Sequence, residues 1–244
     1  MKPKALILRG AATNCDLETA AAFRYCGAIA DIAHINEVLK GIKKLSSYDM
    51  LSLPGGFSYG DDISAGKIFA LKIRTLRKDF EKFIKDEKPV IGICNGFQVL
   101  VKTGYLPENR KGLRKASLFL NDAGHFICKW VKLKINKKSP CIFTRGLPDE
   151  IELPMAHGEG KFIAEDKKEL EKITAKNLSP VFYSDNPNGS QADIAGICNE
   201  KGNLFGLMPH PERNFFSLQK QKKESKGFLS EGYLFFKNAV DYCR

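Results

Sequence analysis

The heptapeptide Gly92-Ile93-Cys94-Asn95-Gly96-Phe97-Gln98 follows the β-branched pair Val90-Ile91 and precedes an apolar segment that Gly104 closes. This pattern predicts a strand, an abrupt turn and a helix, with the cysteine at the turn. Glycines two residues to either side of the cysteine allow the strand and the helix to approach closely, as in a nucleophile elbow. A thiol at a helix N-terminus is also favoured as the thiolate, because unpaired N–H groups and the helix dipole stabilise negative charge there.

Two interpretations of Cys94 fit this heptapeptide equally well. In the first, Cys94 is a nucleophile, and the backbone N–H of Asn95 is placed to receive a developing oxyanion. In the second, Cys94 is a small buried residue in a glycine-rich turn, as free cysteines often are. The remainder of the chain has to distinguish between them.

The first half of the chain alternates apolar segments with helical ones. Strands are predicted at residues 4–8, 28–35, 50–53 and 89–93. A capping-box pattern, Thr13-x-x-Asp16, opens a helix with Leu17, Ala20, Ala21 and Tyr25 at helical spacing. Residues 64–86 predict one longer amphipathic helix. This alternation is typical of a doubly wound, mostly parallel sheet with flanking helices, in which ligands bind beyond the carboxyl ends of the strands.

The second half predicts extra antiparallel strands without long helices between them. The predicted strands are residues 113–120, 126–135, 179–184, 194–198 and 204–208. A final helix is predicted over residues 229–242, and a basic surface loop over residues 219–227. No repeat or low-complexity linker interrupts the chain, so we expect a single α/β domain over residues 1–244.

Charge and composition bear on the class of partner. The net charge of +11 permits nucleic-acid binding. However, many lysines alternate with acidic residues, as in Lys78-Asp79-Phe80-Glu81-Lys82, and neither an RNP-like motif nor a zinc finger is present. A lysine-rich solvated surface is therefore the favoured interpretation, and we expect no nucleic-acid partner.

Cysteine usage and hydropathy indicate the compartment. None of the seven cysteines forms a C-x-x-C pair, so neither a disulfide framework nor a metal site is predicted. The apolar N-terminal run ends at Arg9, and no segment reaches the roughly 18 apolar residues of a membrane span. We expect a cytoplasmic protein that does not contact the membrane.

His210 is the candidate base for Cys94. It lies in Met208-Pro209-His210-Pro211-Glu212-Arg213, directly after a predicted strand. Both Met208 and His210 precede a proline, which favours extended backbone, and residues i and i+2 of an extended chain face the same side. Glu212 is then placed to hold the imidazole, as the third member of a triad does. The alternative is a surface turn with an incidental histidine.

Three glycine-containing stretches remain. Gly55 and Gly56 follow the third strand and can offer a second oxyanion donor or make an ordinary tight turn. His157-Gly158-Glu159-Gly160 fits a substrate-side loop or a structural turn equally well. The stretch from Gly60 to Ile68 departs from a phosphate-binding loop, because its glycine spacing is one residue too long and Ile68 replaces the Ser or Thr that binds magnesium. We therefore expect no nucleotide or metal cofactor in this chain.

Taken together, these residues resemble class I (triad) glutamine amidotransferases, whose nucleophile and His-x-Glu patterns match Cys94, His210 and Glu212. Further stretches resemble one family among them, the glutaminase subunits of phosphoribosylformylglycinamidine synthases. Those stretches are Thr13-Asn14-Cys15-Asp16, Pro54 to Asp61, Ala156 to Gly160, Pro187 to Ser190 with Ile194 to Ile197, and Gly206 to Arg213. Two short stretches depart from this resemblance: Ala11-Ala12 and Asp62-Ile63-Ser64.

The resemblance implies a glutaminase that supplies ammonia to a synthetase subunit. That partner would use ATP and magnesium to convert formylglycinamide ribonucleotide to the amidine in de novo purine synthesis, often with a small bridging subunit. By position, Cys94 would be the nucleophile, His210 the base and acid, and Glu212 the residue that orients it. Gly56, Gly55 and Asn95 would form the oxyanion hole. The backbone end of glutamine would be held by Gln98, His157, Gly158 and Glu159.

Two other functions are compatible with parts of the pattern. A cysteine hydrolase of the α/β-hydrolase kind also uses Gly-x-Cys-x-Gly, but its acid precedes the late histidine, whereas Glu212 follows His210. A basic nucleic-acid-binding module would account for the charge alone.

Overall fold

The computed structural model describes residues 1–107, 114–220 and 227–244. Its strands are β1 (Lys4–Arg9), β2 (Ile29–His34), β3 (Met50–Leu53), β4 (Val90–Ile93), β5 (Ala116–Leu120), β6 (Ile127–Ile135), β7 (Glu150–His157), β8 (Glu159–Ala164), β9 (Val181–Tyr183), β10 (Ile194–Cys198) and β11 (Leu204–Leu207). Its α-helices are α1 (Asp16–Tyr25), α2 (Ile35–Leu39), α3 (Lys67–Thr75), α4 (Arg77–Lys85), α5 (Asn95–Thr103), α6 (Lys167–Ala175) and α7 (Gly232–Tyr242).

Within these residues, one nine-stranded sheet has the order β2-β1-β3-β4-β11-β10-β9-β6-β7. Strands β2, β1, β3, β4 and β11 pair in parallel, and the remaining pairs are antiparallel. A separate antiparallel pair joins β5 and β8. The predicted class is confirmed: a doubly wound, mostly parallel half continues into antiparallel strands. The parallel strands β3, β4 and β11 bring their carboxyl ends to one edge.

Helices cover both faces of the parallel half. On β11, Phe205 stacks on Phe143 and on Phe235 of α7, with ring centroids 5.7 and 6.3 Å apart. The next residue, Gly206, faces α5 so closely that a Cβ atom there would lie 2.1 Å from the Phe97 ring. Successive strand residues point to opposite faces, so β11 is sandwiched between α7 and α5. That places the functional edge above a rigid, apolar core.

Two helix predictions for the first half were wrong in detail. The segment 64–86 is two helices, because Leu76 has non-helical dihedrals and its N–H bonds to Ile73 O, three residues back. The Thr13 capping box does not form: α1 begins at Asp16, and the Thr13 hydroxyl accepts from Gly10 N instead. The buried stripe of α1 contains Thr19, Ala20, Ala22 and Phe23, whereas Leu17 and Tyr25 are exposed.

In the second half, the structure contains elements that the sequence pattern did not reveal. Strands β7 and β8 flank the position where only a loop, residues 157–160, was predicted, and helix α6 follows in a stretch for which no element was predicted. Pro154 reads as a breaker in sequence, yet it lies within β7, the last strand of the sheet, where an unpaired edge tolerates the missing N–H. Part of the predicted strand 113–120 and most of the predicted loop 219–227 lie outside the described residues.

Among the helices of the described ranges, none has the length and apolar character that crossing a membrane requires.

Candidate active site

Cys94 occupies a strained turn between β4 and α5. Its dihedrals are φ 50° and ψ −106°, a conformation that a non-glycine residue rarely adopts. Two hydrogen bonds hold the turn: Cys94 N donates to Leu207 O at 2.8 Å, and Gln98 N donates to Cys94 O at 3.1 Å. The predicted strand, turn and helix are therefore present, with the thiol between the carboxyl ends of β4 and β11. Strain of this kind persists where the surrounding structure enforces it, commonly at functional sites.

The flanking glycines permit this turn by leaving no side chain in the strand–helix contact. A Cβ atom on Gly92 would lie 2.6 Å from Gly96 O, and one on Gly96 would lie 1.8 Å from Leu53 O. Both obstacles are backbone atoms, which cannot rotate away. The approach of α5 to β3 and β4 therefore requires glycine at both positions.

We expect Gly96→Ala to lower the free energy of unfolding by about 3 kcal/mol or more, the upper end for an overpacked site. The physical reason is the backbone clash with Leu53. Gly227→Ala is the control, because a Cβ there meets nothing closer than 3.9 Å. Urea unfolding of the two variants and the parent chain gives the difference; equal midpoints for Gly96→Ala and Gly227→Ala would contradict the close approach.

His210 and Glu212 form a buried pair. Nδ1 of His210 lies 2.6 Å from Oε1 of Glu212, and both side chains are almost fully buried. The predicted pairing is present, but the backbone route was wrong: Pro211–Asn214 forms a 3₁₀ turn rather than an extended chain. His210 N also donates to Pro154 O at 2.8 Å, so the loop is tied to β7.

The environment of His210 favours its imidazolium form. Burial disfavours the imidazolium, but the negative charge of Glu212 and the interaction with Cys94 outweigh burial, so the pKa of His210 lies well above 6.5. Its Nε2 atom is buried and has no hydrogen-bond partner among the described residues. Cys94 Sγ donates instead to Ala156 O at 3.5 Å. The second ring nitrogen of His210 is thus free for proton transfer while the first is held by Glu212.

The predicted oxyanion residues lie around the thiol. Gly56 has φ 146°, and a Cβ there would lie 2.7 Å from the backbone of Asn14, so only glycine fits. Gly55 packs against the His210 ring, where a Cβ would lie 2.8 Å from Cε1, and its carbonyl accepts the N–H groups of Asn14 and Cys15. Asn95 is buried at the first position of α5. Because Gly55 has no side chain, the imidazole of His210 can pack directly against its backbone. Gly56 lines both cavities beside Cys94.

Two cavities meet at Cys94. The first has a volume of about 170 Å³, and its lining includes Gln98, His157, Gly158 and Glu159. The second has a volume of about 240 Å³, and its lining includes His210, Arg213 and Cys15. Gly56 and Cys94 line both. The predicted substrate residues thus lie on one side of the thiol and the predicted base on the other.

The predicted substrate residues are also bonded to one another. Gln98 Nε2 donates to Glu159 O at 2.6 Å, and its Oε1 accepts from Asn95 Nδ2 at 2.9 Å. His157 Nδ1 lies 3.0 Å from Asn121 Oδ1, and burial lowers the pKa of His157 to about 3, so its ring is neutral. Gly158 is the single residue between the end of β7 and the start of β8, so most of the predicted loop belongs to these two strands. These side chains therefore form a preorganised wall.

Cys15 and Arg213 were not singled out as site residues, although both belong to stretches that carry the resemblance. Arg213 Nη2 lies 3.0 Å from Cys15 Sγ, and that sulfur is 3.9 Å from His210 Nδ1. Ligand atoms of Cys15, His210 and Glu212 lie within 4.8 Å of one another, a spacing that a metal ion can bridge. His210 Nδ1, however, is already engaged by Glu212, so the geometry favours a histidine held for acid–base chemistry.

Comparison with known proteins agrees with this geometry. The sequence model of the CobB/CobQ-like glutamine amidotransferase domain matches residues 2–243. The chain is 40% identical to phosphoribosylformylglycinamidine synthase subunit PurQ of Methanococcus maripaludis, covering 98% of this chain and 97% of the relative. It is 41% identical to the subunit of the same name from Dehalococcoides mccartyi, covering 100% and 98%.

A solved structure shares the fold throughout. A chain in the structure of PurLQS from Thermotoga maritima superposes with a TM-score of 0.79 at 33% identity, covering all of both chains. With a family match across nearly its whole length and relatives at this identity, the chain belongs to the CobB/CobQ-like glutamine amidotransferase family, among the sequences of the PurQ type.

Proposed function

We propose that this chain is a glutaminase that hydrolyses L-glutamine to L-glutamate and ammonia with Cys94, His210 and Glu212. One observation carries the proposal. A cysteine on a strained strand–helix turn lines the same cavity as a buried histidine, whose Nδ1 is held by a carboxylate and whose Nε2 is free. Those are the relations that a nucleophile, a base and an orienting group require. The relatives in the same family support it.

The chemistry follows from these positions. The Cys94 thiolate attacks the side-chain amide carbon, and the backbone N–H groups of Gly56 and Asn95 stabilise the oxyanion. His210 then protonates the amide nitrogen, the C–N bond breaks, and ammonia departs. The glutamyl group remains bound to Cys94 as a thioester. His210 next takes a proton from water, which attacks the thioester, and the sulfur leaves with the shared electron pair to give glutamate. Glu212 orients His210 throughout and takes no proton.

The ammonia has a defined recipient in this proposal. The relatives' name and the similarity to a chain of PurLQS support assembly with a synthetase subunit and a small bridging subunit. The synthetase would use the ammonia to make formylglycinamidine ribonucleotide from formylglycinamide ribonucleotide, in de novo purine biosynthesis. ATP and magnesium would bind to that partner, and this chain would need no cofactor of its own. We place the complex in the cytoplasm.

The direct test is glutamate release from L-glutamine, with and without the synthetase partner. We expect release that increases in the complex, and amidine formation in step with it. An alkylating analogue of glutamine should label Cys94, and L-glutamine should protect Cys94 from this labelling. Absence of both labelling and glutamate release in the complete complex would refute the glutaminase. That result would return the other cysteine hydrolases to consideration.

The pH profile provides a second test. Glu212 is the first of the groups that raise the pKa of His210 against burial, so Glu212→Gln should lower that pKa. The alkaline limb of kcat/KM reports loss of the imidazolium proton in the free enzyme. We therefore expect this limb to move to lower pH in Glu212→Gln. Glu81→Gln, which changes a surface carboxylate of α4, should leave it in place; an unmoved limb in Glu212→Gln would contradict the role of Glu212.

A further inference from the structure

Asp61 is a cavity residue that the mechanism leaves unused. It lies on the wall of the smaller cavity, which it shares with Cys94, Gln98 and Glu159. Its backbone is left-handed, with φ 53°, and Tyr59 and Gly60 before it also have positive φ. Three consecutive residues in this region are uncommon outside glycine. The segment therefore holds Asp61 in place at a conformational cost.

The contacts of Asp61 occupy one of its two oxygens. Oδ1 accepts from Gly66 N at 3.3 Å and from Asn95 Nδ2 at 3.0 Å. Neither donor carries a full positive charge. Among the residues that the structure describes, none forms an ion pair with Asp61. Its hydrogen bonds thus come from neutral donors only; the charge of Lys102 acts on Asp61 from a distance, but the ion pair of Lys102 is with Glu159.

The other carboxylate of this cavity differs. Both oxygens of Glu159 accept from Ala65 N, at 3.1 and 3.2 Å. Its Oε2 lies 3.5 Å from Nζ of Lys102, whose side chain is only 5% exposed. Glu159 is therefore satisfied within the protein, because a buried lysine balances its charge and β8 fixes its position. Of the two carboxylates, Asp61 is the one available to a ligand.

Asp61 and Glu159 are two carboxylates that share the charge of one buried lysine, so the cavity favours a positively charged ligand group. Burial is the largest cause that raises the pKa of Asp61, and the charge of Glu159 acts in the same direction. A cation in the cavity would relieve both effects, since an opposite charge nearby stabilises the ionised carboxylate. An L-α-amino acid brings such a cation, and the thiol in the same cavity is the group that its side-chain amide must reach.

We propose that Asp61 binds the α-ammonium group of the substrate, and so selects L-α-amino acids in the cavity that contains Cys94 and Gln98. This assignment rests on the proposed glutaminase function and adds a residue to it. The oxygen of Asp61 that holds Asn95 Nδ2 also ties this recognition to the residue whose backbone N–H is the oxyanion donor. The carboxylate of Asp61 would thus bind the ammonium group and, through Asn95, also hold the turn at Cys94.

Two matched reagents test the assignment. The first is the diazoketone analogue of L-glutamine, in which a CHN₂ group replaces the amide NH₂; the second is the same diazoketone without its α-amino group. Alkylation rates at Cys94 are measured by intact-protein mass spectrometry in the parent chain, in Asp61→Asn and in Asp62→Asn. Asparagine retains the oxygen acceptor and tolerates left-handed backbone, so Asp61→Asn removes little except charge. Asp62 is the exposed neighbour of Asp61.

We expect Asp61→Asn to slow alkylation of Cys94 by the amino reagent roughly 10- to 100-fold, the effect of losing a hydrogen bond to a charged group. Alkylation by the des-amino reagent should change by no more than about twofold. Asp62→Asn should change neither rate. Equal slowing of both reagents would show that Asp61 only shapes the turn, and unchanged rates would show that it is not used; either result overturns the assignment. If Cys94 of the parent chain fails to react with the amino reagent, the proposed glutaminase function falls as well.

Discussion

Cys94→Ala is expected to abolish glutamate release, with a loss on the order of 10⁴-fold or more, as when the nucleophile of a triad is removed. No other side chain at the turn can form the thioester. The proposed complex should still make the amidine from added ammonia, because that reaction does not pass through this cavity. The measurement is amidine formation by the complete complex with glutamine and, separately, with ammonium chloride.

The control is Cys243→Ala, which removes a half-buried thiol at the end of α7. It should retain both activities. Glutamate release by Cys94→Ala would show that another group is the nucleophile, and Cys15 would be the nearest candidate, since its sulfur lies 3.9 Å from His210 Nδ1. Loss of ammonia-dependent synthesis as well would contradict the separation of the two reactions, provided that the complex remains assembled on a sizing column.

His210→Ala should lower kcat for glutamate release by about 10³-fold or more, within the range for loss of a positioned acid and base. The histidine acts twice, as proton donor to the leaving ammonia and as base for water. Glu212→Ala should lower kcat less, because Glu212 orients the ring and raises its pKa without transferring a proton. Removing Glu212 also leaves His210 buried without its partner, so a measurable loss is expected.

The ranking is tested by single-turnover kinetics of the two alanine variants in the complex. His210→Ala should slow both thioester formation and its hydrolysis, while Glu212→Ala should slow both by a smaller factor. Thermal unfolding of each variant separates these effects from loss of the fold. Equal losses in the two variants, or a larger loss in Glu212→Ala, would contradict the division of roles.

The strand–turn–helix at Cys94 could be predicted because its requirements are local. Glycines at positions 92 and 96 and a cysteine between them leave few backbone solutions, and the structure has the strained turn with φ 50°. The contact between His210 and Glu212 was also predicted, but on the assumption of extended backbone. In the structure a 3₁₀ turn brings the two side chains together. Two residues so close in sequence can meet by either route, and the packing of the loop against β7 decides between them.

Other features depend on distant contacts that a local pattern does not contain. Helix α4, which follows the break at Leu76, stacks Phe80 on Tyr105 with ring centroids 4.7 Å apart, and the continuous amphipathic stripe of the sequence does not indicate the break. Pro154 is tolerated in β7 only because that strand lies at the edge of the sheet. The residues of α1 that are buried depend on α7, which lies more than 200 positions later and packs Phe236 against Phe23.

The sequence by itself determined the doubly wound class and the strained turn at Cys94, because the steric demands of glycine and of a strand–helix turn act over a few residues. It linked His210 and Glu212 to Cys94 through the residue types that a triad needs and through the family resemblance. Only the tertiary structure decided which carboxylates face the substrate cavity and which are already neutralised. Lys102 balances Glu159 across 57 positions, while Asp61 is held by neutral donors. Such differences depend on burial and on the distances between charges, which exist only once the chain has folded.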